Sequence, residues 1–393
     1  MGHLPMGSDE GISDDELRHT ERVRRLIAGE IAAAGGWISF ERYMDLALYA
    51  PGLGYYSAGA RKLGAGGDFT TAPEISSLFG ACIARQCAEI LGERTGAIME
   101  VGAGTGRLAA DVLGRLEVLE RLPALYTILE VSADLRDRQR SLLRERIPHL
   151  LDRVRWLDTP PEAPFDGVIL ANEVLDALPV ARFRWHEAVC EEMGVACAEG
   201  LFEWSARPSS PAMTETCRRL AAAAGGWDDG YVSEYCPRLT SWTQTVVHAL
   251  REGAVLWFDY GLPRPQYYLP ERHEGTLICH FRQRAHDDPF FNPGLQDISA
   301  WVDFTALAEA CSAAGCELAG FTTQAYFLAG LGIDREMRSA AAENDNHFAR
   351  LANQARQLML PGEMGERFKV MAWTRGCRAE LSGFGLQDLR HSL

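Results

Sequence analysis

The run Ala97-Ile-Met-Glu-Val-Gly-Ala-Gly-Thr-Gly106 constrains this chain more than any other stretch. A short apolar segment of strand character ends at three glycines, one residue apart, and helical spacing resumes directly after them. Glycine has no Cβ, so the backbone turns sharply there and lets a ligand come up against the amides that open the next helix. The alternation then repeats, with strand Tyr126 to Glu130, helix Ala133 to Arg146, and strands Val154 to Leu157 and Gly167 to Asn172. Strands and helices alternating at this pitch predict a parallel sheet wound with crossovers. The expected class is α/β: a Rossmann-like, mostly parallel sheet with helices on both faces.

Around that core the spacing predicts additions. Leu17, Val23, Leu26, Ile27 and Ile31 mark a helix from about Asp14 to Ala34, stopped by Gly35-Gly36, and Ser39 caps a second through Leu48. Tyr49 to Pro73 is rich in Gly, Tyr, Ser and Thr and reads as a functional loop, followed by an amphipathic helix from Ser76 or Ser77. The alternation breaks at about Ala181 to Arg207, where short antiparallel strands are expected, with a polar, Ala-rich helical stretch to about Leu250. The sheet resumes at Ala254 to Asp259 and closes with strands near Glu317 to Gln324 and Phe368 to Trp373. At 393 residues the chain is too long for one simple core. It is expected to divide into N-terminal helices and a covering loop (1–95), the first half of the core (96–180), an insertion (181–250) and the second half of the core (251–393).

A net charge of −15 argues against a phosphate-tracking surface, so no nucleic-acid partner is expected. A basic protein or small cation suits this field, although the charge also serves solubility alone. Cys82, Cys87, Cys279, Cys311 and Cys316 lie in apolar or helical stretches and read as reduced core thiols. No apolar run is long enough to span a membrane, and the acidic opening (Ser8-Asp-Glu10, Asp14-Asp-Glu16) lacks a signal core or transit-peptide character. A cytoplasmic setting is therefore expected.

The glycine turn suits either a pyrophosphate or the carboxypropyl end of S-adenosylmethionine. Dinucleotide folds favour G-x-G-x-x-G, whereas Gly102, Gly104 and Gly106 form G-x-G-x-G. Glu100, in the strand just before them, would face a diphosphate poorly but can hold an ammonium group. Glu130 ends the second strand, where a carboxylate can accept both ribose hydroxyls, and Asp158, just after the third strand, can take the adenine amino group. Each of these signals is weak alone; their order along the chain points to a bound nucleoside.

The fourth strand ends in Asn172-Glu-Val-Leu-Asp-Ala-Leu-Pro179. Ligands of open parallel sheets sit beyond the carboxyl ends of the strands near the switch point, which places Asn172, Glu173 and Asp176 beside the nucleoside. Asn172 joins the cofactor contacts, and Glu173 can orient an amine or guanidinium, with Asp176 as a reserve. A structural reading explains the same residues: Asp176 caps a following helix and Glu173 is solvated. Asp68 and Glu74 flank Phe69-Thr-Thr71 in a loop apt to fold over the cofactor, with Glu74 a second reserve catalytic carboxylate. Tyr49, Tyr55, Tyr56, Phe69 and Tyr260 offer faces that attract a sulfonium or guanidinium, or simply pack the loop. His280 to Pro289 concentrates His and Asp and reads as an active-site loop. Adjacent residues such as His286, Asp287 and Asp288 rarely converge on one ion, so no metal is expected.

Several of these motifs lie outside a generic cofactor site: Leu46 to Tyr56, Gly67 to Glu74, Asn172 to Pro179, Asp259-Tyr-Gly261 and Glu274 to Asp288. With Glu100 to Gly106 they resemble the bacterial and mitochondrial methyltransferase family that includes the complex I assembly arginine methyltransferase and its slime-mould relative. The resemblance implies a class I methyltransferase fold, S-adenosylmethionine as cofactor, and a protein substrate methylated on arginine, for mitochondrial members a respiratory-chain subunit. It strengthens Gly102, Gly104, Gly106 and Glu130 as cofactor contacts and transfers no general base. Two other readings fit the fold: an assembly factor that binds cofactor without turnover, and a nicotinamide-dependent oxidoreductase, which the glycine spacing and Glu100 disfavour.

Overall fold

The structure, a computed structural model, describes residues 12–58, 70–187, 189–342 and 344–393. Asp68 and Phe69 lie outside the described residues. The chain forms two units, each assembled from separated stretches. One holds the described residues up to 58 with Leu175–Leu239 and Leu262–Asp303; the other holds Thr70–Val174, Thr240–Gly261 and Phe304–Leu393. Contacts thus group the chain differently from the four consecutive segments expected, because both halves of the sheet belong to one unit.

That unit carries the strands β1 (Ala97–Val101), β2 (Leu125–Leu129), β3 (Val154–Leu157), β4 (Phe165–Asn172), β5 (Leu250–Leu262), β6 (Glu317–Thr323) and β7 (Phe368–Arg375). Their order is β3-β2-β1-β4-β5-β7-β6. The pairs β1/β2, β2/β3, β1/β4 and β4/β5 are parallel, and β7 runs antiparallel to both β5 and β6. The sheet is the expected Rossmann-like, mostly parallel one, and its order reverses direction between β1 and β4.

Alternate side chains of a strand face opposite ways, and both faces of this sheet are covered. Ile98, Tyr126, Ile128, Val168, Leu170, Leu256 and Val370 share one apolar cluster with residues of α1 (Ser77–Leu91), α2 (Arg107–Val118) and the later helix Asp345–Met359. On the opposite face Trp257 meets Trp242 of helix Leu239–Val247 with ring centroids 6.0 Å apart, and Phe304 of helix Phe304–Ala313 meets Phe321 at 5.2 Å. Local signals set the helix starts: Ser76 caps α1 and Ser132 caps α3 (Ala133–Arg146).

The other unit contains helices Asp14–Ala33 and Phe40–Tyr49, capped by Ser13 and Ser39. Its antiparallel sheet includes Ala181–His186, Val189–Ala198, Leu201–Pro208 and Val232–Tyr235. The last strand lies in a stretch expected to be helical. Polar residues are buried on both of its faces, which hid the alternation: Ser233 and Glu234 are fully buried, and Glu234 Oε1 accepts the Thr276 amide and hydroxyl, each at 2.6 Å. A disulfide joins Cys190 to Cys217 of helix Pro211–Ala224, a link absent from the sequence expectations. Cys82, Cys87, Cys279, Cys311 and Cys316 are buried and unpaired, as expected of core thiols.

The expected active-site loop after His280 is instead a small antiparallel sheet of Ile278–Phe281, Arg284–His286 and Asp297–Ser299. Its tight turn places Arg282 and Gln283 at φ of +49° and +63°. Hairpins of this type usually announce themselves by Asn-Gly, and Arg-Gln carries no such signal. His286 is buried, and its Nδ1 accepts the Asp288 amide at 3.3 Å.

Candidate active site and cofactor cradle

The carboxyl ends of β1, β2 and β4 bring most of the predicted residues to the switch point of one sheet. Gly102, Gly104 and Gly106 have φ of +64°, +53° and +87°. The turn is pinned to the sheet by the Gly102 N–H, which donates to Leu129 O at 3.0 Å, and α2 starts at Arg107. A Cβ at Gly106 would stand 3.2 Å from Gln139 Cα, and one at Gly102 would stand 3.1 Å from Val174 Cγ2. Only glycine fits this passage.

Glu100 is 2% exposed, and its Oε2 accepts the Tyr126 hydroxyl at 2.7 Å. Burial pushes its pKa up to about 7; the Tyr126 hydrogen bond opposes this and the Glu130 charge adds to it. The folded protein therefore holds this proton more tightly than the unfolded chain. The group's contribution to stability is full below its ordinary value of 4.5 and is lost as pH rises through about 7. Glu100→Gln, neutral at every pH, should melt progressively higher than the parent between pH 5 and pH 8, by on the order of 2 kcal/mol at the alkaline end. A melting difference that stays constant with pH contradicts this.

Glu130 follows the last residue of β2 and is 6% exposed. The Ser132 amide donates to Oε1 at 2.9 Å and Gln139 Nε2 to Oε2 at 3.1 Å; burial raises the pKa against both bonds. Asp158, at the end of β3, is exposed and ion-paired with Arg136, which also donates from Nε to Glu130 O at 2.7 Å. Asn172 donates from Nδ2 to Glu173 Oε1 at 3.0 Å, while its buried Oδ1 has no partner. Glu173 is half-buried with φ of +53°, a conformation uncommon for a non-glycine residue, and its amide donates to Phe258 O at 2.8 Å. Glu74 accepts the hydroxyl of Thr105 from the glycine turn. Through that bond Glu74 braces the turn.

Asp176 belongs to the other unit and lies in a turn, so it caps no helix. It is 7% exposed, and its carbonyl accepts the Ala300 amide at 3.0 Å. Within that unit the Tyr49 hydroxyl donates to Ala177 O and the Tyr56 hydroxyl to Asp297 Oδ1, each at 2.8 Å. Burial, and after it the Asp297 and Asp176 carboxylates, push the Tyr49 hydroxyl well up. These tyrosines therefore stay protonated and packed, with ring centroids 5.5 Å apart.

Two residues of the site were given no role from sequence. Asp259, within β5, is 1% exposed; its Oδ2 accepts the Val174 amide at 3.2 Å, which holds the chain leaving β4. Gln139, fully buried in α3, touches both the glycine turn and Glu130. Asp259 was within reach as a polar residue closing an apolar strand; Gln139 was not, since a single polar residue in a charged helix is no signal.

A turn of three positive-φ glycines with tight approaches at Gly102 and Gly106, a buried carboxylate beside it and the orphaned Asn172 Oδ1 together fit an adenosyl ligand. The comparisons agree. A family model described as an S-adenosyl-L-methionine-dependent methyltransferase matches residues 82–322. The chain belongs to this methyltransferase family. A Burkholderia thailandensis protein crystallised with S-adenosyl-homocysteine is 43% identical, covering 99% of this chain and 100% of that one, at a TM-score of 0.93. The mitochondrial protein arginine methyltransferase NDUFAF7 of Danio rerio is 30% identical over 93% of this chain and 88% of its own length; that of Homo sapiens is 27% identical over 86% and 80%. The methyltransferase uses S-adenosylmethionine, and the oxidoreductase reading falls. The cytoplasmic expectation is also overturned, because these curated relatives are named as mitochondrial. No helix among the described residues is long and apolar enough to cross a membrane.

Proposed function

We propose that this methyltransferase modifies arginine in a protein partner. The curated relatives are named for that reaction, and the observation that carries it here is Glu173. Its backbone is held in an uncommon conformation at the carboxyl end of β4, and its carboxylate receives Asn172 Nδ2. An arginine guanidinium stays protonated at neutral pH, and a carboxylate binds its fork while drawing charge from the attacking nitrogen. The cofactor supplies an electrophilic methyl on a sulfonium; after transfer the nitrogen releases one proton to solvent and the guanidinium stays protonated.

In this reading Gly102, Gly104, Gly106, Glu130 and Asn172 contact the cofactor, Glu100 lies beneath the turn, and Asp158 takes the adenine amino group. Glu173 orients the acceptor, with Asp176 the reserve. A net charge of −15 favours a basic partner segment, and the family resemblance makes a respiratory-chain subunit the first target to assay. The test is mass spectrometry of a proteome incubated with the enzyme and isotope-labelled cofactor. Labelled methyl groups are expected on arginine side chains; label confined to lysine, carboxylates or small molecules refutes the proposal.

A further inference from the structure

A fully buried glutamine in the middle of a helix is costly unless every polar atom is satisfied, and an apolar side chain of the same length would pack as well. Gln139 is such a residue, and its hydrogen bonds gather at the cofactor cradle. Its Nε2 donates to Gly104 O at 3.0 Å and to Glu130 Oε2 at 3.1 Å, and its Oε1 accepts Trp156 Nε1–H at 2.8 Å. The backbone beneath it faces Gly106, where a Cβ would stand 3.2 Å from Gln139 Cα. One side chain therefore couples the glycine turn, the end of β2 and Trp156 of β3.

We infer that Gln139 is a positioning residue that aims the Glu130 carboxylate at the vicinal hydroxyls of the cofactor ribose. The inference rests on the reading of Glu130 as the ribose contact. A carboxylate offers about four acceptor directions. The Ser132 amide occupies one on Oε1 and Gln139 one on Oε2, and the Val131 amide also bears on the carboxylate, which still leaves acceptor capacity for the diol. Trp156 fixes which way the amide points: with its carbonyl oxygen taken by the indole, the amide nitrogen must face Glu130 and Gly104.

The test compares calorimetric binding of S-adenosylhomocysteine with that of its 2′,3′-dideoxy analogue in the purified full chain. Gln139→Met should weaken S-adenosylhomocysteine binding about tenfold, the loss of one charge-assisted hydrogen bond, and weaken the dideoxy analogue less than about twofold. Equal weakening of both ligands would mean that Gln139 only supports the fold, and overturns the inference. Glu130→Gln separates the two levels. If it keeps the parent's preference for the diol, the ribose reading itself is wrong; if it loses that preference while Gln139→Met keeps it, only the role of Gln139 is wrong. Should Gln139→Met not fold, Trp156→Phe carries the same measurement, since an aromatic ring remains there while the N–H donor is lost. A diol preference reduced about threefold is expected there, and an unchanged one overturns the inference.

Discussion

Substituting Glu173 by glutamine is expected to lower methyl transfer by about 10²- to 10³-fold while leaving S-adenosylhomocysteine affinity within about twofold. Glutamine keeps the length of the side chain and an oxygen able to accept Asn172 Nδ2, so the local hydrogen bond survives and only the charge is lost. A guanidinium held by a neutral amide loses the fork that orients it and the field that makes its nitrogen nucleophilic. Single-turnover rates with labelled cofactor, paired with calorimetry, separate the two effects. A variant that binds cofactor normally and transfers at the parent rate would remove Glu173 from the acceptor site. A variant that fails to bind would place it among the cofactor contacts instead.

The second large effect belongs to the glycine turn. Gly106→Ala must adopt φ near +87° and bring its Cβ to 3.2 Å from Gln139 Cα. The left-handed conformation costs an L-residue about 1–2 kcal/mol, and the close approach adds to it, because the nearest atoms are the Gln139 backbone and the base of its buried side chain. The expected result is about 30- to 100-fold weaker S-adenosylhomocysteine binding with a lower melting temperature. Gly114→Ala, in the same helix α2 with nothing within 4 Å of its Cβ, is the control. It should bind normally and melt slightly higher, since alanine is the better helix former. Equal behaviour of the two variants would show that the turn tolerates a side chain and that its glycines are incidental.

How much of this was legible beforehand differs by element. The core elements followed from local pattern: β3 at Val154–Leu157 and α3 at Ala133–Arg146 match expectation residue for residue. Ser39 and Ser76 cap their helices because a side-chain oxygen there meets an orphan amide, a local effect that sequence records directly. Where inward positions are polar, periodicity fails. Glu234 is buried in a strand where Thr276, 42 residues later, donates two hydrogen bonds to its Oε1, and no local pattern contains that fact. The Arg282-Gln283 turn was hidden for the converse reason: its positive φ values are imposed by the strands it joins rather than by its residues.

The cofactor site shows the same division. Glycine spacing and the acidic ends of β1 and β2 are local consequences of a backbone that must turn without Cβ atoms, so sequence alone located the cradle and named its ligand class. Which partners each carboxylate has was decided by tertiary structure. Glu74 is bound to Thr105 across 31 residues, Asp176 is buried in the other unit, and Gln139 acquires its place only when α3 packs on the glycine turn. A side chain's chemistry is written in the chain, but its partners are chosen by packing between segments distant in sequence.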